Sequence, residues 1–176
     1  MAEKGKQIGA MDPMVPSEYS AHKVSESAAA KWLNSIRSTD SLPPQNETHG
    51  FQESLIIRQL TVNQVEPGIV IATITVHSSL TNRYNTLHGG AVAMISNIVG
   101  MAAVKTVAVD KDFEPAELSM SYVYAGRIGV ELEVKAKVLK FENNAAVSSI
   151  DIRNKETKQA IFQGCCTFHS MPKSRM

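Results

Sequence analysis

Chemistry-bearing residues are densest in the segment Asn82-Arg83-Tyr84-Asn85-Thr86-Leu87-His88-Gly89-Gly90. A polar turn ends there in a histidine and two glycines, and a nearly uninterrupted apolar run from Ala91 to Ala108 follows. Only Ser96, Asn97, Lys105 and Thr106 interrupt that run. Glycines let a backbone come close to a partner, and the first N–H groups of a helix have no partner within the helix. A loop of this kind can therefore set bare N–H groups against an oxygen of a ligand. The segment reads as an active-site loop. Residue by residue, simpler readings remain open: His88 as a turn-bonding side chain, Gly89-Gly90 as a tight turn, Asn82 as a cap.

The elements that must position this loop can be read from patterning. The chain has 176 residues, 43% of them hydrophobic and 20% charged, which suits one soluble globular domain with a tail. Residues 1–22 mix Gly, Pro, Met and Lys without periodicity and are expected to form a flexible arm. Residues 23–50 hold an amphipathic helix from Val24 to Arg37, marked by Val24, Ala28, Trp32 and Ile36, and then a loop. Residues 51–170 form the main domain. Strand signals begin near Phe51, and Leu55 to Val62 and Ile69 to Val76 are expected to form a hairpin about Pro67-Gly68. The apolar helix comes next, then a charged connection from Val109 to Glu114. Four more strands are expected at Ala116–Tyr124, Val130–Phe141, Ala145–Arg153 and Lys158–Phe168. The order predicts an α+β fold in which one antiparallel sheet, ending in a four-strand meander, curls round one long central helix. Without βαβ repeats, a parallel sheet is not expected.

Composition narrows the function classes. The net charge of +1 gives no footprint for nucleic acid. The apolar run is short for a membrane span and carries Ser96 and Asn97, so a buried helix is the better reading. No apolar signal core follows Met1, so secretion is not expected. Cys165 and Cys166 are adjacent, so on a strand they point to opposite faces and read as reduced structural thiols. The histidines His22, His49, His77, His88 and His169 are scattered without ligand spacing, so neither a metal nor another cofactor is expected.

The spacing Asn82-x5-His88-Gly89-Gly90, the long apolar helix and the run of strands resemble the hotdog-fold acyl-CoA thioesterases. The likeness is to the small PaaI-like branch that includes the acyl-CoA thioesterase 13 type. Thr86 to Gly90 matches the loop of that branch. Asn154-Lys155-x-Thr157-x5-Gln163-Gly164 is similar to its last hairpin, and the match runs from about Phe51 to Phe168. The resemblance implies hydrolysis of an acyl-CoA thioester, with the Gly89 N–H stabilising the oxyanion. His88 would hold the loop or contact the thioester, Asn82 would position the carbonyl or the attacking water, and Gly90 would bind substrate. It also implies a homodimer or dimer of dimers with sites shared between subunits.

Two positions depart from the family pattern. The family's carboxylate on the central helix, nine positions after the histidine, is here Asn97, and no Asp or Glu lies between Gly90 and Val109. An amide can orient water but cannot take its proton. The serine that closes the site in the thioesterase 13 type falls on Pro115. Glu117, two residues on and of the same strand parity, could restore a carboxylate. Asn97, Pro115 and Glu117 thus join the candidate site. An alternative to hydrolysis follows from Asn97: a catalytically impaired acyl-CoA-binding or regulatory protein on the same fold. Finally, Ser174-Arg175-Met176, in the tail at 171–176, resembles a peroxisomal import tripeptide. The peroxisome and its import receptor are the expected address and partner, with the cytosol as the alternative.

Overall fold

Where polar and apolar residues alternate most regularly, the chain forms sheet. The computed structural model describes residues 31–32 and 51–171. Its elements in order are α1 (Phe51–Gln59), β1 (Leu60–Glu66), β2 (Ile69–Thr75), a short 3-10 turn (Ser78–Leu80), α2 (Gly89–Lys105), β3 (Phe113–Tyr122), β4 (Glu131–Phe141), β5 (Ala145–Asn154) and β6 (Ala160–Ser170). All strand pairs are antiparallel, in the order β1-β2-β4-β5-β6-β3. One face of this sheet wraps α2. Leu132, Val134, Ala136 and Val138 of β4, with Ile150 and Ile152 of β5 and Phe168 of β6, pack against Val92, Ile95, Val99 and Ala103. Burying a side chain of this kind stabilises by about 1.5–3 kcal/mol. From Ile98 to Ala108 every residue of the helix and its exit is buried, which is why the sequence there shows no polar stripe.

Two polar tethers hold the far end of α2. Lys105 Nζ donates to Lys111 O at 2.8 Å and pairs with Asp112 at 3.0 Å, fixing the start of β3. The buried Thr106 hydroxyl donates to Ala103 O at 2.7 Å and accepts from Gly68 N–H at 2.6 Å. Gly68 has φ +75, a conformation that favours glycine at this turn. Thr106→Val is expected to strand the Gly68 N–H in the core and lower stability by about 1–3 kcal/mol, read as a shift in the urea midpoint.

The sheet curled round a central helix, and the β1–β2 hairpin about Pro67-Gly68, match the sequence reading. Three details do not. Leu55 to Gln59 is helical, and β1 begins only at Leu60. In a helix, Ser54 and Leu55 share cover with buried Ile56 and Ile57, while Glu53 in the first turn and Arg58 in the last suit the helix ends. Next, the last four strands are not one meander. β4, β5 and β6 are, but β3 lies beside β6 at the far edge, and β4 returns to β2. The connection 123–130 is too long for a tight hairpin and bonds elsewhere: Val76 N–H donates to Val130 O and Leu87 N–H to Gly126 O. Third, β3 begins at Phe113, so the charged connection is shorter than expected. Lys31 and Trp32 are helical, within the expected helix. The rest of that helix, its loop to residue 50, the arm at 1–22 and the tripeptide lie outside the described residues.

Candidate functional site

The loop before α2 is built largely by one asparagine. Asn82 Oδ1 accepts the Tyr84 N–H at 2.9 Å, and its Nδ2 donates to Thr86 Oγ1 at 3.0 Å. Its backbone N–H donates to Thr86 O at 2.9 Å. This is an Asx turn, and Asn85 at φ 58 completes the reversal in a conformation that asparagine tolerates. Within one chain, both ends of the Asn82 amide are bonded inside the loop. The loop is clamped on both sides, by Leu87 N–H to Gly126 O at 2.8 Å and His88 N–H to Leu80 O at 2.9 Å.

His88 is the N-cap of α2. Its Nδ1 accepts the Gly90 N–H at 2.9 Å. A ring nitrogen that accepts carries no proton, so in the neutral ring the proton sits on Nε2. Val92 N–H is bonded to His88 O, but Gly89 N–H is bonded to no group among the described residues. Gly89 is thus a donor at the positive end of a helix with nothing to donate to, while the cap takes the neighbouring Gly90 N–H. A Cβ on Gly89 would stand 3.2 Å from the Tyr122 hydroxyl, and that hydroxyl lies 3.5 Å from Gly89 O. Tyr122 itself packs edge-on against Phe162, with ring centroids 5.2 Å apart. Beside His88 and Gly90 opens a cavity of about 320 Å³, walled by Leu55 and Ile56 of α1 and by Thr81 and Met94.

Gly90, Met94, Asn97 and Met101 recur every three or four residues and form the stripe of α2 turned towards α1. Met94 lies between two cavities. The second, of about 270 Å³, is lined by Trp32, Glu53, Met94, Asn97, Phe113 and Pro115. Asn97 and Pro115, the two departures from the family pattern, therefore meet in one place. Asn97 Oδ1 is buried without a hydrogen-bond partner among the described residues, which costs about 1–3 kcal/mol. A helix rises 1.5 Å per residue, so Asn97 lies about 12 Å along the axis from Gly89. One chain does not bring them to the same carbonyl.

Glu117 falls elsewhere. A β-bulge between Pro115 and Glu117 reverses the parity that plain counting assumes. Pro115 pairs with buried Phe168 and faces the helix, whereas Glu117 pairs with Thr167 and is exposed on the outer face. The carboxylate that does line the Asn97 cavity is Glu53, which the reading of residues 51–59 as extended chain passed over. Helical spacing, with Glu53 four positions before Ile57 and Leu55 four before Gln59, was the available signal. Tyr122 was missed as well, because only the sheet order brings the end of β3 to the start of α2.

Cys166 is buried in β6, and burial first, then the neighbouring Cys165, pushes its thiol up to about 12, so it is inert near neutrality. Among the described residues no group of three or more His, Cys, Asp or Glu is placed to hold a metal. No helix among them is long and apolar enough to cross a membrane.

Comparison with known proteins agrees with this geometry. The family described as "Thioesterase superfamily" matches residues 84–161, from the Asx-turn loop to the start of β6. Acyl-coenzyme A thioesterase 13 of Homo sapiens is 32% identical over 121 residues, covering 65% of this chain and 81% of that protein. The crystal structure of zebra fish thioesterase superfamily member 2 superposes with a TM-score of 0.67 at 25% identity, covering 79% of this chain and 93% of that one. A Streptococcus pneumoniae hypothetical thioesterase, solved with coenzyme A, shares the fold at a TM-score of 0.61 and 21% identity, over 65% of this chain and 87% of its own. With this fold, this loop and these relatives, the chain belongs to the thioesterase superfamily, among the hotdog proteins of the acyl-coenzyme A thioesterase 13 type.

Proposed function

We propose that the protein is an acyl-CoA thioesterase, converting an acyl-CoA and water to a free acid and coenzyme A. The observation that carries this is the Gly89 N–H at the N-terminus of α2, bonded to no group among the described residues. Attack of water on a thioester turns the carbonyl oxygen into an oxyanion, and a fixed N–H with the helix dipole behind it stabilises that charge. The Nε2–H of the neutral His88 ring is a second donor on the neighbouring residue, and the Nδ1 bond from Gly90 holds that ring in place. The activity named for the human relative supports the same reading. The test is thiol release by the purified protein from a panel of acyl-CoAs. No release from any of them, aliphatic or aromatic, sinks it.

The working unit in this proposal is a homodimer or dimer of dimers. Two features support it. The roughly 12 Å between Gly89 and Asn97 is bridged if Gly89 of one copy faces Asn97 of another. β3 is also an edge strand whose outer side pairs with no strand among the described residues, and Tyr122 and Val123 at its end are exposed. Light scattering that returns only a monomer while activity persists would remove the shared site.

Asn97 favours a second reading, in which the fold binds acyl-CoA without turnover. Calorimetric binding of acyl-CoA by a protein that releases no thiol would establish it. The address rests on Ser174-Arg175-Met176 alone: where Met176 ends the chain, a fluorescent fusion with the tripeptide is expected in peroxisomes, and without it in the cytosol.

A further inference from the structure

Hydrolysis requires a group that takes a proton from water, and α2 offers none. It carries no carboxylate, and the position that would hold one is the amide of Asn97. The cavity into which Asn97 opens does contain a carboxylate, contributed by a different element. We propose that Glu53, in the first turn of α1, is the general base of this site and does the work of the missing helix carboxylate. The assignment rests on the thioesterase reading above.

Three observations meet here. Glu53 and Asn97 line the same cavity of about 270 Å³, and among the described residues that line it Glu53 is the one carboxylate. The rival, Glu117, is turned to the outer face of the sheet by the bulge at Pro115. Asn97 has a buried amide oxygen with no partner among the described residues, a costly arrangement where an apolar residue would pack more cheaply, so the position calls for a polar contact. Trp32, Phe113 and Pro115 close the sides of the cavity with apolar surface. Glu53 is exposed, so water reaches its carboxylate.

The step balances without any further reagent. The Glu53 carboxylate removes a proton from a water that the Asn97 amide orients. The water oxygen bonds to the thioester carbon, and the carbonyl electron pair moves to oxygen, facing the Gly89 N–H of a second copy in the shared site proposed above. When the oxyanion collapses, the carbon–sulfur bond breaks and the electron pair leaves on sulfur. Glu53 returns its proton to that thiolate. The products are the carboxylic acid, which ionises in water, and coenzyme A as the thiol.

The experiment measures thiol release across the acyl-CoA panel and across pH, for the full chain, Glu53→Gln, Glu53→Asp and the double variant Glu53→Gln with Asn97→Asp. Glu53→Gln is isosteric at an exposed site, and thermal melts check that the fold is kept. Loss of general-base help is expected to lower kcat by about 100-fold or more, with KM little changed. The acidic limb of the profile, where activity falls as a carboxylate protonates, is expected to vanish in Glu53→Gln. Glu53→Asp is expected to keep the limb at reduced kcat. Asn97→Asp on the Glu53→Gln background is expected to regain roughly tenfold or more and to restore the limb, because it returns a base to the same cavity. An active wild type whose Glu53→Gln variant turns over equally well overturns the assignment of Glu53 and leaves the thioesterase reading intact. A fall in kcat with the acidic limb intact also overturns it, since that is a structural effect. A wild type inert on every acyl-CoA overturns both.

Discussion

Gly89→Pro is expected to lower kcat by about 100–1000-fold, the usual effect of removing one oxyanion donor, while α2 stays folded. Proline is a clean deletion at this position. Gly89 is the first residue of α2, where the fixed φ of proline suits the helix and the missing N–H breaks no helical bond. His88, at φ −66 and ψ 136, already has the extended backbone that a residue before proline prefers. The added ring meets the hydroxyl end of exposed Tyr122, which can swing aside. Gly89→Ala is the control, since it adds the same Cβ and keeps the N–H. It is expected to stay within about tenfold of wild type. Equal losses in the two variants would assign the effect to crowding and remove the Gly89 N–H from the mechanism.

Gly164→Ala is expected to be among the most destabilising single changes in the molecule, at or above the upper end of the usual 1–3 kcal/mol for overpacking. Gly164 pairs with Met120 across the β3–β6 ladder. A Cβ there would run into the Ser119 backbone carbonyl and the Met120 sulfur. A backbone atom cannot swing aside, so β3 must part from β6. Because β3 carries Pro115 and Tyr122, activity is expected to fall along with the urea midpoint. Gly129→Ala separates crowding from conformational strain. Gly129 has φ +84 and nothing within 4 Å of its would-be Cβ, so only the backbone strain remains, about 1–2 kcal/mol. If Gly164→Ala melts like wild type, the register of β3 on β6 is not the one described.

Local pattern made much of this protein legible in advance. Alternation at Leu132, Val134, Ala136 and Val138 announces a half-buried strand because side chains of a strand alternate faces. An apolar run from Ala91 to Ala108 announces a helix covered on all sides. Asn82, His88 and Gly89 are informative because the turn, the cap and the first helical residue are fixed by neighbours in sequence. The motif ending in Gln163-Gly164 was visible as a likeness, but its cause, the close approach of β3, was not. Strand order escaped the sequence because the connection 123–130 bonds to Val76 and Leu87 rather than closing a hairpin, and those partners are distant in the chain. The bulge after Pro115 escaped it too: a single extra residue reverses parity and leaves no compositional trace, so Glu117 was carried to the wrong face. The sequence by itself therefore determined the central helix, the sheet around it and a loop that ends at the first N–H groups of that helix. Only tertiary structure decided which carboxylate shares a cavity with Asn97. That choice depends on α1 lying across α2, a packing of elements far apart in sequence, and periodicity within either helix does not encode it.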